Sequence, residues 1–278
     1  MPKITENEYL LMSKYIEENC GIHLSKGKEY LIESRLVDLL EEYACDSFQQ
    51  FYFKAKADTL GKLRDRIIDA MTTNETLWFR DDTTWKYIKE VAVPALLDKA
   101  ERSGNVRIWS AASSTGQEAY SLLMTLDEEA KKRGKPDLLN RITIIGTDIS
   151  TSALFIAISG RYDSMAVSRG LPLDKKNKYF TKDGNVWVFN QELKKRVQFQ
   201  KFNLLNSLSS LGSFDMVLCR YVIIYFSDAV KKELFRKIAT TLISKGILLL
   251  GASENLRGFT DAFETIYYKN GLVYIKQK

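Results

Sequence analysis

Residues 107 to 121 read Arg-Ile-Trp-Ser-Ala-Ala-Ser-Ser-Thr-Gly-Gln-Glu-Ala-Tyr-Ser, an apolar strand, a turn of small residues ending at Gly116, and a helix start carrying Glu118. Ala111 to Thr115 are small and Gly116 has no side chain, so a ligand can approach the main chain where a larger residue would clash. The turn has one glycine where a dinucleotide fingerprint has three, and it lacks the Gly-Lys-Ser/Thr ending of a phosphate loop. Glu118 repels phosphate and attracts a hydroxyl or an ammonium group; alone, it is equally an acid that favours a helix N-terminus. The next apolar run, Ile142 to Asp148, also ends in an acid. An Asp at the end of the second strand of an open α/β sheet commonly binds ribose hydroxyls, and it equally serves as an N-cap. Two such acids at the ends of adjacent strands favour a nucleoside with an ammonium group and no phosphate, a description that S-adenosylmethionine fits.

The elements that must position these residues fall into three parts. Residues 1–75 carry helical patterns, such as Tyr9, Met12, Tyr15 and Ile16, then Leu31, Leu36, Leu39 and Leu40, with breaks at Gly21 and Gly61. They predict a small helical N-terminal domain. Residues 76–278 alternate strands (106–111, 142–147, 197–202, 214–219 and 246–251) with helices, one of them marked by Leu234, Ile238 and Leu242, which predicts a parallel sheet covered by helices. Apolar runs on either side of Lys269-Asn270-Gly271 predict a closing antiparallel hairpin. An insertion at about 160–195 holds a second hairpin around Lys182-Asp183-Gly184-Asn185, read as a β-subdomain.

With 278 residues, 45% of them hydrophobic and 27% charged, the chain can bury a large core. No apolar run approaches the roughly 20 residues needed to span a bilayer, and the opening Met-Pro-Lys-Ile-Thr-Glu lacks a signal-peptide core, so the cytosol is the expected location. Cys20, Cys45 and Cys219 lie far apart among apolar residues, which predicts buried thiols and no metal site. The single histidine, His23, flanked by Ile22 and Leu24, is expected to pack, so neither Ser-His nor His-rich metal chemistry is available.

These residues resemble the bacterial chemotaxis-type protein-glutamate O-methyltransferases. The likeness runs through Thr72 to Arg80, Trp109 to Ser121, Gly146-Thr147-Asp148, Phe202 to Leu205, Cys219 to Phe226 and Ser253-Glu254-Asn255, nearly the whole chain. It implies a Rossmann-like α/β methyltransferase fold with a helical N-terminal domain and an inserted β-subdomain. It also implies S-adenosylmethionine as cofactor and S-adenosylhomocysteine as product, with contacts from Asn74, Thr76, Arg80, Glu118, Asp148, Asn203, Leu204, Arg220 and Tyr221. Arg80 and Tyr225 are the implied catalytic residues. Two positions depart from the family pattern: Ala119 replaces a frequent proline, and Tyr221 replaces the asparagine usual after the Cys-Arg pair.

The implied chemistry suits the residues present. A glutamate side chain, with an ordinary pKa of about 4.3, is ionised at neutral pH, so methyl transfer to it needs no general base. The implied partner is the glutamate-rich cytoplasmic helical domain of methyl-accepting chemotaxis receptors. A net charge of +6 agrees, as does the cluster Lys54, Lys56, Lys62, Arg64 and Arg66, although such a run is also what a solvated face looks like. Some members of the family hold a pentapeptide at the receptor C-terminus with a longer glycine-containing loop in the β-subdomain. The short Asp-Gly turn here predicts independence from that tether. The alternatives are a regulatory module that binds S-adenosylmethionine without turnover and a methyltransferase acting on another substrate such as RNA. No Asn/Asp-Pro-Pro-Tyr motif and no basic stripe interleaved with stacking aromatics supports RNA.

Overall fold

Four helices come first, and the sequence punctuates three of them, α2 being the exception. In the computed structural model, which describes residues 3–278, Thr5 and Glu8 form a capping box at the start of α1 (Glu6–Cys20), and Gly21 ends that helix at φ +81°. After α2 (Glu29–Glu42), Ser47 caps α3 (Phe48–Ala57), and Gly61, at φ +69°, begins α4 (Lys62–Met71). Met12, Ile16, Ile32, Leu36, Phe51 and Ile67 are buried in a core of their own.

A long connection follows, through α5 (Asp82–Tyr87), a π-helical turn and α6 (Val93–Ser103). The alternation then runs β1 (Val106–Ala111), α7 (Gln117–Lys132), β2 (Ile142–Asp148) and α8 (Thr151–Ser159). The insertion contributes β3 (Arg161–Asp163), α9 (Ser164–Ser168), α10 (Leu173–Tyr179), β4 (Phe180–Asp183), β5 (Val186–Phe189) and α11 (Gln191–Lys194). The main sheet resumes with β6 (Val197–Lys201), β7 (Phe214–Cys219), α12 (Asp228–Thr241), β8 (Leu242–Leu250), β9 (Phe263–Tyr268) and β10 (Gly271–Lys276).

The seven strands are ordered β6-β2-β1-β7-β8-β10-β9. Strands β6 to β8 pair in parallel, and β10 runs antiparallel between β8 and β9. Alternate residues feed opposite cores: Ile108, Ile144, Met216 and Leu218 pack on one face, and Trp109, Ile145, Val217 and Cys219 on the other. This is the Rossmann-like methyltransferase architecture expected from the sequence, helical domain and inserted β-subdomain included. Two details differ. Leu242 does not close a helix; it opens β8 and pairs with Phe214, because α12 runs straight into the strand and the kink falls later, at Lys245 with φ +63°. The turn of the last hairpin is Lys269-Asn270, with Gly271 already paired to Tyr268.

The inserted sheet has the order β3-β5-β4, so a third strand joins the predicted hairpin. Its two-residue turn is Gly184-Asn185, since Asp183 pairs with Val186. This small sheet braces the segment before α5. Trp78 is 1% exposed, meets Tyr162 and Phe180 edge-on, and donates from Nε1 to the Ala166 carbonyl at 2.9 Å. Gly170 lies so close that an added Cβ would sit 2.4 Å from the Trp78 carbonyl oxygen.

Candidate active site

The register of the sheet decides where the chemistry sits. Ala111 of β1 is level with Thr147 of β2 and with Cys219 of β7, so the next residues, Ala112, Asp148 and Arg220, emerge together at the carboxyl ends of three adjacent strands. Strand order reverses at β1, the place where open α/β sheets bind ligands. One cleft there is lined by all ten residues singled out in the sequence: Asn74, Thr76, Arg80, Glu118, Asp148, Asn203, Leu204, Arg220, Tyr221 and Tyr225.

Buried carboxylates and a buried cation organise it. Asp148 is 6% exposed and accepts the amides of Ser114 at 2.7 Å and Ser150 at 2.9 Å; burial pushes its pKa above the ordinary aspartate value. It is not the N-cap of α8, because Ser150 takes that place and accepts from Ala153. Glu118 accepts from Ser110 Oγ at 2.7 Å and from Arg220 Nη1 at 2.9 Å. Arg220, whose side chain is 2% exposed, also donates to Asp81 at 2.7 Å and to the Arg80 carbonyl. Tyr221 follows at φ +59°, donates its hydroxyl to Asp81, and lies under the Arg80 guanidinium, whose Cζ is 3.4 Å from the ring centroid. Burial is the first cause that raises the Tyr221 pKa and the Asp81 bond the next, so the phenol stays a neutral donor. Phe79, Asp81, Ala112, Ser114 and Tyr221 all have positive φ, which concentrates backbone strain around the cleft.

The helical domain closes one side. Cys20 and Ile22 line the cleft, Ile22 bridges to Phe226, and the His23 amide donates to the Tyr225 carbonyl at 2.8 Å. Asn203 donates to the Asn19 carbonyl at 2.7 Å, which ties the domains together, and accepts the Leu205 amide of its own loop at 3.0 Å. Asn74 donates to Ser150 Oγ at 3.2 Å, and its carbonyl accepts from Ser114 Oγ at 2.8 Å.

Three expectations need correction. His23 does not pack: in an extended segment Leu24 turns inward and His23 outward, where it meets Glu17 at 3.0 Å. Gly116 does not face the cleft. A Cβ there would meet Ala157 at 3.0 Å and Phe199 at 3.1 Å, and its φ of +93° starts α7, so packing and helix entry require the glycine while Ala112, Ser113 and Ser114 line the cleft. Arg66 of the basic cluster is chelated by Glu42, leaving Lys56, Lys62 and Arg64 as its exposed charges least committed to partners.

Asp81 and Glu254 carry roles that sequence reading did not assign. Glu254, 5% exposed, accepts the amides of Tyr221 at 2.7 Å, Gly251 at 2.8 Å and Ile223 at 3.0 Å, stitching the ends of β7 and β8 together. The acid in Ser253-Glu254-Asn255 was visible, but not the amides it collects.

Residues 74–272 match the family described as CheR methyltransferase, SAM binding domain, and residues 7–72 match CheR methyltransferase, all-alpha domain. The chain belongs to the CheR methyltransferase family. It is 40% identical over 262 residues to the chemotaxis protein methyltransferase Cher2 of Pseudomonas putida, covering 94% of each chain. It is 41% identical to chemotaxis protein methyltransferase 1 of Pseudomonas aeruginosa, over 96% of this chain and 97% of that one. The corresponding protein of Vibrio parahaemolyticus is 39% identical over 98% of this chain and 97% of its own. As a CheR methyltransferase the protein uses S-adenosylmethionine, and the cleft fits it. Asp148 and Glu118 on its lining keep acceptor capacity for hydroxyl and ammonium groups, and the Arg80 side chain makes only one long hydrogen bond, 3.5 Å to the Glu75 carbonyl. No helix among the described residues is long and apolar enough to cross a membrane.

Proposed function

We propose that this methyltransferase esterifies glutamate side chains on the cytoplasmic helices of methyl-accepting chemotaxis receptors, giving glutamate methyl esters and S-adenosylhomocysteine. The observation that carries the reading is the cleft's titratable lining, which offers no histidine and no acid without a protein partner. The Cys20 thiol is pushed up to about 11 by burial, the Tyr221 phenol is raised, Glu118 is engaged by Arg220, Asp148 by two amides and Glu75 by Arg169. Such a site suits a nucleophile that arrives ionised, as a carboxylate does.

Bound S-adenosylmethionine supplies an activated methyl group on a sulfonium sulfur. Asp148 and Glu118 would hold its polar groups, Arg220 would fix the Glu118 carboxylate, and Ile22 and Phe226 would exclude water. Arg80 holds the incoming carboxylate by its N–H fork and Tyr225 orients an oxygen. Transfer of the methyl group to a carboxylate would cancel both charges. Alignment and dryness therefore do most of the work, and no proton moves. Transfer of labelled methyl to receptor cytoplasmic fragments, with RNA as the control acceptor, is the direct test; label on RNA alone would overturn the reading.

Tyr225→Phe removes only a hydroxyl, so turnover should fall while calorimetric affinity for S-adenosylmethionine holds, whereas Arg80→Ala should lower turnover further. Full turnover by Tyr225→Phe at saturating receptor would remove Tyr225 from the mechanism.

We assign receptor docking to residues 1–75 and transfer to residues 76–278. Lys56, Lys62 and Arg64 are exposed on α3 and α4, and Phe53 and Leu60 are exposed in the same stretch of chain. Reversing those three charges should raise the apparent KM for receptor and flatten its salt dependence. Parental salt slopes would reduce them to a solvated face. The Gly184-Asn185 turn leaves no loop to close over an added peptide strand. Titration with a receptor-tail pentapeptide should accordingly show no binding, and saturable micromolar binding mapped to residues 179–190 would refute that independence.

A further inference from the structure

Tyr221 occupies a backbone conformation that a bulky side chain rarely adopts. At φ +59° it lies in the left-handed region, which Asn tolerates far better. Three contacts hold it there. Its amide donates to Glu254 at 2.7 Å, its hydroxyl donates to Asp81, and its ring lies against Arg80. Asp81 is itself fixed by Arg220 at 2.7 Å, so the ring is pinned both at its backbone and at its hydroxyl.

Arg80, by contrast, is nearly free apart from that ring. Its side chain makes one long hydrogen bond, 3.5 Å to the Glu75 carbonyl, yet it lines the cleft. A guanidinium stacked through its face keeps its in-plane N–H donors available, and a fixed plane is what a bidentate grip on a carboxylate needs. The strained backbone, the pinned hydroxyl and the stacked ring have a common consequence, which is the orientation of Arg80.

Resting on the receptor-glutamate reading above, we propose that Tyr221 is a positioning residue: its ring sets the plane of the Arg80 guanidinium so that the fork meets the glutamate carboxylate to be methylated. Its hydroxyl serves Asp81, so the position acts through Arg80 and not as a polar contact to the cofactor.

The test compares Tyr221→Asn, which relieves the backbone strain and removes the ring, with Tyr221→Phe, which keeps the ring and loses only the hydroxyl. Receptor methylation kinetics, calorimetric S-adenosylmethionine affinity and Tm are measured for each, alone and in an Arg80→Ala background. Tyr221→Asn should lower kcat/KM for receptor by about five- to thirtyfold, the worth of a cation–π contact between an exposed and a desolvated site. Cofactor affinity should stay within about twofold, a change smaller than any single contact gives. Tyr221→Phe should recover most of the loss, and in the Arg80→Ala background Tyr221→Asn should cost nothing more. Tyr221→Gly, which also tolerates the backbone, replaces Tyr221→Asn should that variant misfold.

Parental kcat/KM in Tyr221→Asn, equal losses in Tyr221→Asn and Tyr221→Phe, or an undiminished loss in the Arg80→Ala background would each overturn the inference while leaving the receptor reading intact. Failure of the parent protein to methylate receptor at all would overturn that reading, and this inference with it.

Discussion

Arg220→Met should lower Tm by roughly 6–12 °C and cost most of the cofactor affinity, a larger effect than any other single change around the cleft. The guanidinium is 2% exposed and engages two carboxylates, Glu118 at 2.9 Å and Asp81 at 2.7 Å, besides the Arg80 carbonyl. Methionine fills much of the same volume but leaves both acids without their counter-charge. Breaking a buried pair in this way costs about 3–5 kcal/mol. The lower figure applies because Asp81 and Glu118 keep 20% and 14% of their side-chain surface, so water can reach them. About 3 kcal/mol, at roughly 2–4 °C per kcal/mol for a chain of this size, gives the stated shift. Adding Asp81→Asn to Arg220→Met removes one stranded charge and should recover part of the loss. A melting curve for Arg220→Met that overlays the parent's would show that water in the cleft already compensates these acids. A double variant less stable than the single one would show that Asp81 matters through Tyr221 more than through its charge.

The central strands β1, β2 and β7 could be read from the chain because each is a largely apolar run buried on both faces, a pattern that local composition carries. Asp148 and Glu118 were legible for a related reason: the end of a strand and the first turn of a helix are positions that sequence reveals, and their acids are conspicuous there. What escaped is what depends on distant partners. Asp81 looks like the first of two acids opening a helix; its role comes from a backbone at φ +71° and from Arg220 and Tyr221, some 140 positions along the chain. Leu242 carries the helical spacing of α12 and still belongs to β8, since pairing with Phe214 overrides the local pattern. Gly116 sits in a sequence context that a ligand could explain, yet Phe199 and Ala157 are what crowd it. The β-subdomain was legible as a hairpin, but its brace on Trp78, and through it on the segment that carries Arg80, joins residues nearly 90 positions apart.

Asp148→Ala should weaken S-adenosylmethionine and S-adenosylhomocysteine equally, by about 1.5–3 kcal/mol, or roughly 10- to 150-fold in Kd. The equality would follow from the part of the ligand we propose Asp148 to hold, the ribose hydroxyls, which both molecules share, and not the sulfonium charge, which only one carries. Each oxygen of Asp148 accepts one backbone amide, from Ser150 and Ser114, and retains a lone pair for a hydroxyl donor. The same geometry sets a pH dependence. Burial raises the Asp148 pKa above its ordinary value, and ribose hydroxyls that donate to the carboxylate would lower it again in the complex. A group whose pKa falls on binding makes affinity greatest above the free-state pKa and erodes it as pH falls through that value. Cofactor affinity should therefore decline on acidification, beginning at a higher pH than an exposed aspartate would produce, and the Asp148→Ala protein should lack that part of the decline. Calorimetric titrations of both ligands across the acidic range provide the check. Unequal losses for the two ligands, or the same acid limb in parent and variant, would move the ribose contact to another residue.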